Sequence, residues 1–170
     1  LVFQKDEYQE KAEILREKGT DRSKFFRGQV DKYRWIDYGS SYLPSEMNAA
    51  YLYAQLEECE KINHKRHEIY DYYHANLKNL EDEGKIQRPF VPEGCVHNAH
   101  MYYIKTRDLS VRSRLIAYLK ENGICKFSRF SGEDVYTTRE SERLVRLPMF
   151  YDLSETDMEY IVEKIQQFEF

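Results

Sequence analysis

Hydrophobic residues recur at helical spacing over the longest uninterrupted stretch of the chain, which runs from Glu46 to about Glu83. Apolar positions three and four residues apart mark one face of an α-helix. Ser45, a favoured N-cap residue, precedes the stretch and Gly84 follows it. The pattern predicts one very long helix, which could bend or break along its length. The positions predicted to face inward are Leu52, Leu56, Cys59, Ile62, Ile69, Tyr73, Leu77 and Leu80.

Shorter patterns predict helices and strands that alternate along the rest of the chain. Helices are predicted over 6–18, over 110–121 with Ser110 as its cap, as a turn over 139–143, and over 155–168 with a capping box that begins at Ser154. Strands are predicted over 1–3 and 96–105 and from Ile124 onward, and loops over 20–44 and 132–138. Residues 144–149 form an apolar stretch that stops at Pro148. This order predicts an α/β fold, or α+β for the chain taken alone.

The predicted loop from Thr20 to Pro44 is long and aromatic. Loops of this length in a compact domain are usually either functional or disordered. Its large aromatic side chains argue against disorder, and they are Phe25, Phe26, Tyr33, Trp35, Tyr38 and Tyr42. We therefore expect an ordered segment with a function.

Positive charge is concentrated in the same region. Seven basic residues and three acidic ones lie between Arg16 and Arg34, which gives a local net charge of +4 in a chain whose total is −4. The total charge is not that of a nucleic-acid-binding protein. A basic island in an acidic chain is where an anionic ligand is expected.

The residue types in this island suit a phosphate-containing ligand. Segment 25–35 combines cations, aromatic rings and Gly28. Cations donate charge-assisted hydrogen bonds to phosphate, and aromatic faces can stack on a base. Ser40, Ser41 and Tyr42 stand shortly before the helix that Ser45 caps, where hydroxyl and N–H groups can hold phosphate. The composition thus predicts phosphate binding.

The histidines predict no metal site. His64, His67 and His74 can share one face of the long helix, but a solvated face explains them better than a zinc site, which needs a further ligand. His97 and His100 are an odd number of residues apart. On the predicted strand they would lie on opposite faces, so they could not bind one ion together.

Cysteine usage and composition limit the class of protein. Cys59, Cys95 and Cys125 are widely spaced and odd in number, which argues against a disulfide framework and favours a reducing cytoplasm. We expect all three to be small buried hydrophobic side chains. No apolar run approaches the roughly 20 residues of a membrane helix, and no signal peptide is recognised. The chain begins without Met and is expected to be a fragment.

Eight short motifs are spread over nearly the whole chain. They are Arg16–Thr20, Phe25–Tyr33, Gly39–Tyr42, Asn98–Lys105, Gly132–Thr138, Glu140–Leu144, Leu147–Pro148 and Phe150–Tyr151. In this order they resemble the sugar-nucleotide aminotransferases of the fold-type I class, which depend on pyridoxal 5′-phosphate (PLP). The resemblance implies a homodimer of two-domain subunits with PLP at the interface. Residues 1–44 would then be the end of the large PLP-binding domain and an interface loop, and 45–170 the long connecting helix and the C-terminal small domain.

The resemblance also implies roles for residues of the loop. Ser41 and Tyr42 would contact the phosphate of the PLP held by the neighbouring subunit. Arg27, Lys32 and Tyr33 would lie near the nucleotide-sugar substrate or the partner's cofactor. No catalytic residue is expected in this chain, because the family's Schiff-base lysine lies upstream of its first residue. The chain alone is therefore expected to be inactive and without PLP.

Two departures from the family pattern bear on these roles. The family often has Asn where Ser41 stands, which weakens the assignment of that residue. The family also has a further stretch, aromatic and containing His, after the position of Cys125. Either it is deleted in this chain or its residues are omitted from the sequence, and the abrupt junction favours omission.

The implied reaction of the parent enzyme is the transfer of an amino group, with glutamate as donor, to C4 of a dTDP-4-keto-6-deoxyhexose in the cytoplasm. Two alternatives stay open. The chain could be a non-catalytic module that binds a nucleotide sugar or a partner protein. The parent could also be a PLP-dependent dehydratase, a related class in which histidine replaces the lysine.

Overall fold

The computed structural model describes residues 4–124 and 135–170. It divides into two compact units, Leu1–Glu57 and Glu58–Phe170. Several predictions concern residues that the structure does not describe. They are the strand over 1–3, the strand from Ile124 onward apart from Ile124 itself, the junction after Cys125 where the family has a further stretch, and the first half of the 132–138 motif. The assignment of 1–44 and 45–170 to the two domains of a larger enzyme stays a prediction.

In its described residues the first unit contains three α-helices. After a 3₁₀ turn at Asp6–Tyr8 come α1 (Gln9–Arg16), α2 (Arg22–Phe26) and α3 (Glu46–Glu57). The helix predicted over 6–18 is thus confirmed in its main part. The prediction that 20–44 is loop throughout is wrong at α2, because a helix of five residues is too short to produce a periodic pattern.

The stretch predicted as one long helix is helical but interrupted. It consists of α3, α4 (Cys59–Asn76) and α5 (Lys78–Asp82). Glu58 and Leu77 separate them, with ψ angles of 9° and 5° instead of a helical value near −42°. Neither position is glycine or proline, so the residue types that mark helix ends gave no signal there. Ser45 caps α3 as predicted, since its Oγ accepts a hydrogen bond from the Asn48 N–H at 3.3 Å.

The second unit combines helices with a small sheet. Its further elements are β1 (Tyr103–Lys105), α6 (Leu109–Glu121), α7 (Val135–Ser141), β2 (Leu144–Arg146) and α8 (Glu155–Gln167). The two strands are antiparallel, with Ile104 opposite Val145. This mixture confirms the predicted class. β1 is shorter than the strand predicted over 96–105, β2 lies in the apolar stretch 144–149, and α7 occupies part of the stretch predicted as loop up to residue 138.

The helix caps of the second unit agree with one prediction and correct another. Ser154 caps α8, because its hydroxyl accepts a hydrogen bond from the Asp157 N–H at 3.1 Å. The cap of α6 is Asp108 and not Ser110, since the Asp108 carboxylate accepts from the Val111 N–H at 3.0 Å. Either residue type can cap a helix. Only the backbone geometry decides which one does.

The hydrophobic core lies in the second unit. Side chains of α4, α6, α8 and the sheet meet there, with Tyr73, Ile104 and Leu115 fully buried. The inward positions predicted on the long helix are confirmed in its second half, at Ile69, Tyr73, Leu77 and Leu80. The prediction is wrong in the first half of the helix, because Leu52, Leu56 and Cys59 are exposed. Cys95 is also exposed, contrary to prediction, and Cys125 lies outside the described residues.

No helix in the described part of the chain is both long and apolar enough to cross a membrane.

Candidate functional site

The end of α1 is joined by hydrogen bonds to a later segment of the loop. The last carbonyl groups of a helix lack partners within it. Here the Ser40 N–H donates to the Leu15 carbonyl at 3.0 Å and the Tyr42 N–H to the Arg16 carbonyl at 3.2 Å. The predicted cofactor residues Ser41 and Tyr42 are therefore held at the C-terminal end of α1.

Two glycines make this backbone approach possible. A Cβ atom on Gly39 would lie 2.1 Å from the Gly19 nitrogen, and one on Gly19 would lie 1.8 Å from the Asp37 carbonyl oxygen. Neither position can accept a side chain without moving the backbone. Gly19 also has a φ angle of +76°, which other residues rarely adopt. Its carbonyl accepts from the Ile36 N–H at 2.7 Å, which completes the contact.

A buried aspartate joins the two ends of segment 22–33 by hydrogen bonds. The Asp21 side chain accepts a hydrogen bond from the Arg34 N–H at 2.6 Å, and the Asp21 N–H donates to the Arg34 carbonyl at 3.1 Å. Thr20 and Trp35 form an antiparallel bridge beside this pair. Segment 22–33 is thus anchored at both ends to the same point.

Within this segment the aromatic side chains form a cluster around a cation. The ring centroid of Phe25 lies 5.8 Å from that of Phe26 and 6.0 Å from that of Tyr33. The Arg22 guanidinium lies 5.1 Å from the Phe26 ring and 5.9 Å from the Tyr33 ring, within the range of cation–π attraction. The predicted substrate residue Tyr33 is therefore held by its neighbours but remains 42% exposed. The sequence reasoning gave Arg22 no role beyond its charge.

Ion pairs join α1 to α2 and the turn after it. The Glu13 carboxylate accepts hydrogen bonds from Nη1 and Nη2 of Arg27 at 2.9 and 2.6 Å. These bonds hold the pKa of Glu13 below its usual value and raise the pKa of Arg27. Glu10 also forms an ion pair with Lys24, but through only one carboxylate oxygen. Glu13 was not singled out from the sequence, although Glu10 and Glu13 have the same spacing as Lys24 and Arg27.

The ion pairs leave part of the basic island unneutralised. Of its seven cations, Arg16, Lys24 and Arg27 pair with acidic side chains. The other four form no ion pair with any described residue, and they are Lys18, Arg22, Lys32 and Arg34. Lys32, a predicted substrate residue, belongs to this second group and is exposed. These four cations are available to attract an anion.

Two groups of predicted site residues contact α1 or the residue just past its end. Arg27 contacts α1 at Glu13, and Ser41 forms a bridge with Glu17 just past its end. Four residues span about 6 Å along a helix axis. Tyr33 joins the aromatic cluster instead, and no side-chain contact of Lys32 with these residues is found in the described part of the chain. The structure thus brings Arg27 and the Ser41–Tyr42 segment to one helix.

The residues present fit one part of PLP, its phosphate group. Ser41 is exposed, and its hydroxyl has no hydrogen-bond partner among the described residues. Tyr42 is 70% exposed. Free hydroxyl groups near unpaired cations are suitable donors to a phosphate. The described residues offer no comparable set of ligands for the pyridine ring.

The histidines form ring contacts. The His97 ring centroid lies 4.3 Å from that of Tyr70 and 4.9 Å from that of His67. His97 and His100 lie in an irregular segment, so the prediction that they occupy two faces of a strand is wrong. His64 is solvated as predicted, whereas His67 is half-buried, as is His74. Residues 4–124 and 135–170 contain no group of three His, Cys, Asp or Glu that could hold a metal ion.

A second basic surface lies in the other unit, but its cations are paired. A groove of about 500 Å³ is lined by Lys85, Lys105, Arg107 and Arg143, among others. Lys105 pairs with Glu140 at 2.8 Å, and the other three also have an acidic residue within 4 Å. The groove is therefore a weaker candidate for an anion than the basic island.

Comparison with solved structures shows the fold. The chain superimposes on the aminotransferase TlmJ from Streptoalloteichus hindustanus with a TM-score of 0.79 at 20% identity, over 97% of this chain and 46% of that one. The match to PseC from Helicobacter pylori, an aminotransferase involved in the biosynthesis of pseudoaminic acid, has a TM-score of 0.76 at 16% identity, over 96% and 46%. The PLP-form of Spr1654 from Streptococcus pneumoniae matches with a TM-score of 0.74 at 18% identity, over 94% and 43%.

The chain spans less than half the length of these structures. The resemblance carried by its motifs is confirmed at the level of the family, because the DegT/DnrJ/EryC1/StrS aminotransferase family profile matches residues 1–166. A match of this extent includes α1, the basic island and both units. The chain therefore belongs to the DegT/DnrJ/EryC1/StrS aminotransferase family.

Proposed function

We propose that the complete protein is a PLP-dependent aminotransferase that converts a dTDP-4-keto-6-deoxyhexose to the 4-amino sugar, with glutamate as donor. Within the family its motifs resemble most closely those of dTDP-4-amino-4,6-dideoxygalactose transaminase. The observation that carries the proposal is the family match over residues 1–166, which includes the basic and aromatic loop. We also propose that the enzyme acts in the cytoplasm.

Arg27, Lys32 and Tyr33 are the proposed contacts of the nucleotide sugar. Its diphosphate needs cationic donors, and Lys32 has no acidic partner among the described residues. The exposed part of the Tyr33 ring can pack against a base or sugar. These properties support the proposal through charge and accessibility.

Ser41 and Tyr42 are the proposed donors to the PLP phosphate of a neighbouring subunit. When bound, PLP supplies the electron sink for amino transfer. The role of the two residues is to hold and orient its phosphate through their hydroxyl groups. Serine is shorter than the asparagine often found in the family, so we expect a weaker contact than in those relatives. We propose that this chain alone is inactive and holds no PLP, because the resemblance implies that the lysine that binds the cofactor covalently is not one of its residues.

Exposed apolar side chains support the proposal of a homodimer. Trp35, Tyr38, Met47 and Tyr51 each expose more than 70% of their surface. Large apolar side chains exposed within one part of a chain favour an interaction site there. A second identical subunit that covers it would also bring its cofactor to Ser41.

The test is an assay of the complete protein with PLP, glutamate and a dTDP-4-keto-6-deoxyhexose, with detection of the 4-amino sugar by mass spectrometry. Lys32→Gln should raise the KM for the nucleotide sugar about tenfold, as expected for the loss of one charge-assisted hydrogen bond. Lys120→Gln, at an exposed lysine on α6, is the control and should leave KM unchanged. A PLP-saturated protein that aminates no nucleotide sugar would refute the proposal.

A further inference from the structure

One face of α1 carries acidic residues that contact α2 and the turn after it. Glu10 and Glu13 are three residues apart, which places them on the same side of the helix, and Glu17 follows just past its end. Their partners are, in the same order, Lys24, Arg27 and Ser23. These contacts fix segment 22–27 against α1 through polar groups, with no buried hydrophobic side chain on either helix.

The pair between Glu13 and Arg27 differs from the others because it fixes the plane of the Arg27 guanidinium. Both carboxylate oxygens accept hydrogen bonds, one from Nη1 at 2.9 Å and one from Nη2 at 2.6 Å. A bidentate pair of this kind holds the guanidinium in one orientation. Lys24 and Glu10, joined through a single oxygen, lack that restriction.

The pair also leaves donors free on Arg27. A guanidinium has five N–H groups, and the two bonds to Glu13 use one on each terminal nitrogen. The Nε–H and the second N–H of each terminal nitrogen, three donors in all, have no acceptor among the described residues. The arginine side chain is also 46% exposed. An anion can therefore reach Arg27 while Glu13 stays in place.

We propose that Glu13 is a positioning residue for the substrate, which orients the Arg27 guanidinium so that its remaining N–H groups meet the diphosphate of the nucleotide sugar. This inference rests on the proposed function, in which Arg27 contacts that substrate. The physical reason is preorganisation. A free arginine side chain loses rotamer freedom when it binds an anion, and an arginine already held by a carboxylate loses less.

The neighbouring pair supplies a matched control. Glu10 lies on the same face of α1, is exposed, and also pairs with a cation of the next helix. Glu10→Gln removes the same charge from the same helix without touching Arg27. An effect that arises only from the attachment of α2 to α1 would appear in both variants. An effect that arises from the orientation of Arg27 would appear in Glu13→Gln alone.

The experiment measures the Kd of dTDP for the complete protein by titration calorimetry. Arg27→Gln should weaken binding about tenfold or more, and Glu13→Gln about three- to tenfold. The double variant should bind as Arg27→Gln does, because Glu13 acts only through Arg27. Glu10→Gln should stay within about twofold of the wild type. In the transfer assay the same order should appear in KM for the nucleotide sugar, with little change in kcat.

Glu13→Asp adds a second variant in case Glu13→Gln folds poorly. Its shorter side chain keeps a carboxylate, so its loss of affinity should be smaller than that of Glu13→Gln. The inference is overturned if Glu13→Gln leaves Kd unchanged or lowers it, if Glu10→Gln has an equal effect, or if the double variant is additive. Binding and transfer by the wild type, together with any of these results, would leave the proposed function standing. A wild type that binds no dTDP and transfers no amino group would refute both.

Discussion

The two units of the chain are stabilised in different ways. Every buried hydrophobic side chain in the described residues belongs to the second unit. From residue 4 to the end of the first unit, the buried residues are Gly19, Thr20 and Asp21, and the contacts are backbone hydrogen bonds, close glycine packing and ion pairs. Most of the exposed large hydrophobic side chains, by contrast, lie in the first unit.

This difference bears on which unit is expected to contact other molecules. The second unit buries its apolar side chains within itself, as an independently stable domain does. The first unit leaves Trp35, Tyr38 and Tyr42 uncovered beside unpaired cations. A surface of that composition gains free energy only when another molecule covers it. The first unit is therefore the part through which the chain is expected to meet a ligand or a partner.

The largest expected effect comes from two leucines that differ in burial. Leu115 on α6 is fully buried, whereas Leu52 on α3 is 55% exposed. Leu115→Ala should lower the free energy of unfolding by about 2–5 kcal/mol, because it removes buried methyl groups and leaves a cavity. Leu52→Ala should change it by less than about 1 kcal/mol. Urea unfolding followed by circular dichroism compares them, and equal losses would show that α3 contributes to the core.

A smaller effect is expected from a glycine of the first unit. Gly39→Ala places a Cβ atom 2.1 Å from the Gly19 backbone, so the contact between α1 and the later segment must open, at a cost of about 1–3 kcal/mol. Hydrogen exchange of the Ser40 and Tyr42 amides should speed up, while that of β1 should not change. Gly28→Ala is a control for backbone strain alone, since its φ angle of +69° disfavours alanine by about 1–2 kcal/mol but a Cβ there meets nothing within 4 Å, so exchange at Ser40 and Tyr42 should not change. Unchanged exchange at Ser40 in Gly39→Ala would contradict the close packing.

The smallest expected effect is a pH dependence confined to the second unit. Burial, and then the nearby charge of Arg88, lower the pKa of His74, whose ring stacks on Tyr70. The folded state then binds fewer protons than the unfolded state, so stability is complete above the unfolded pKa of about 6.5 and is lost as the pH falls below it. His74→Gln should reduce this loss, measured as unfolding free energy between about pH 7.5 and 5.5. His64→Gln, at an exposed histidine, should preserve it, and an unchanged slope in His74→Gln would contradict the assignment.

The sequence predicted the second unit better than the first. In the second half of the long helix, the helical period of apolar residues corresponds to a face that the core covers. The residues of that face are Ile69, Tyr73, Leu77 and Leu80. On α3 the same period occurs at Leu52 without burial within this chain. Periodicity predicts that a face will be covered, but it does not say by what. This is why the first half of the long helix was predicted inward and is exposed.

The candidate site was predicted by residue type and by resemblance, but its internal contacts were not. Charge and aromatic content pointed to the segment with Arg27 and Tyr33. The partner of Arg27 could not be found, because Glu13 belongs to another helix and only the fold brings the two together. Gly19 and Gly39 were noted only as parts of the motifs, whereas the structure shows that they let two backbones approach closely.

Hydrogen exchange of the complete protein with and without dTDP tests directly whether the basic and aromatic loop binds the nucleotide. We expect slower exchange in residues 27–42 when dTDP is bound, because the diphosphate would contact Arg27 and Lys32 and restrict the whole segment. The core strands β1 and β2 should exchange at the same rate in both states. If saturating dTDP slows exchange elsewhere but leaves the exchange rates of residues 27–42 unchanged, the nucleotide does not bind at this segment.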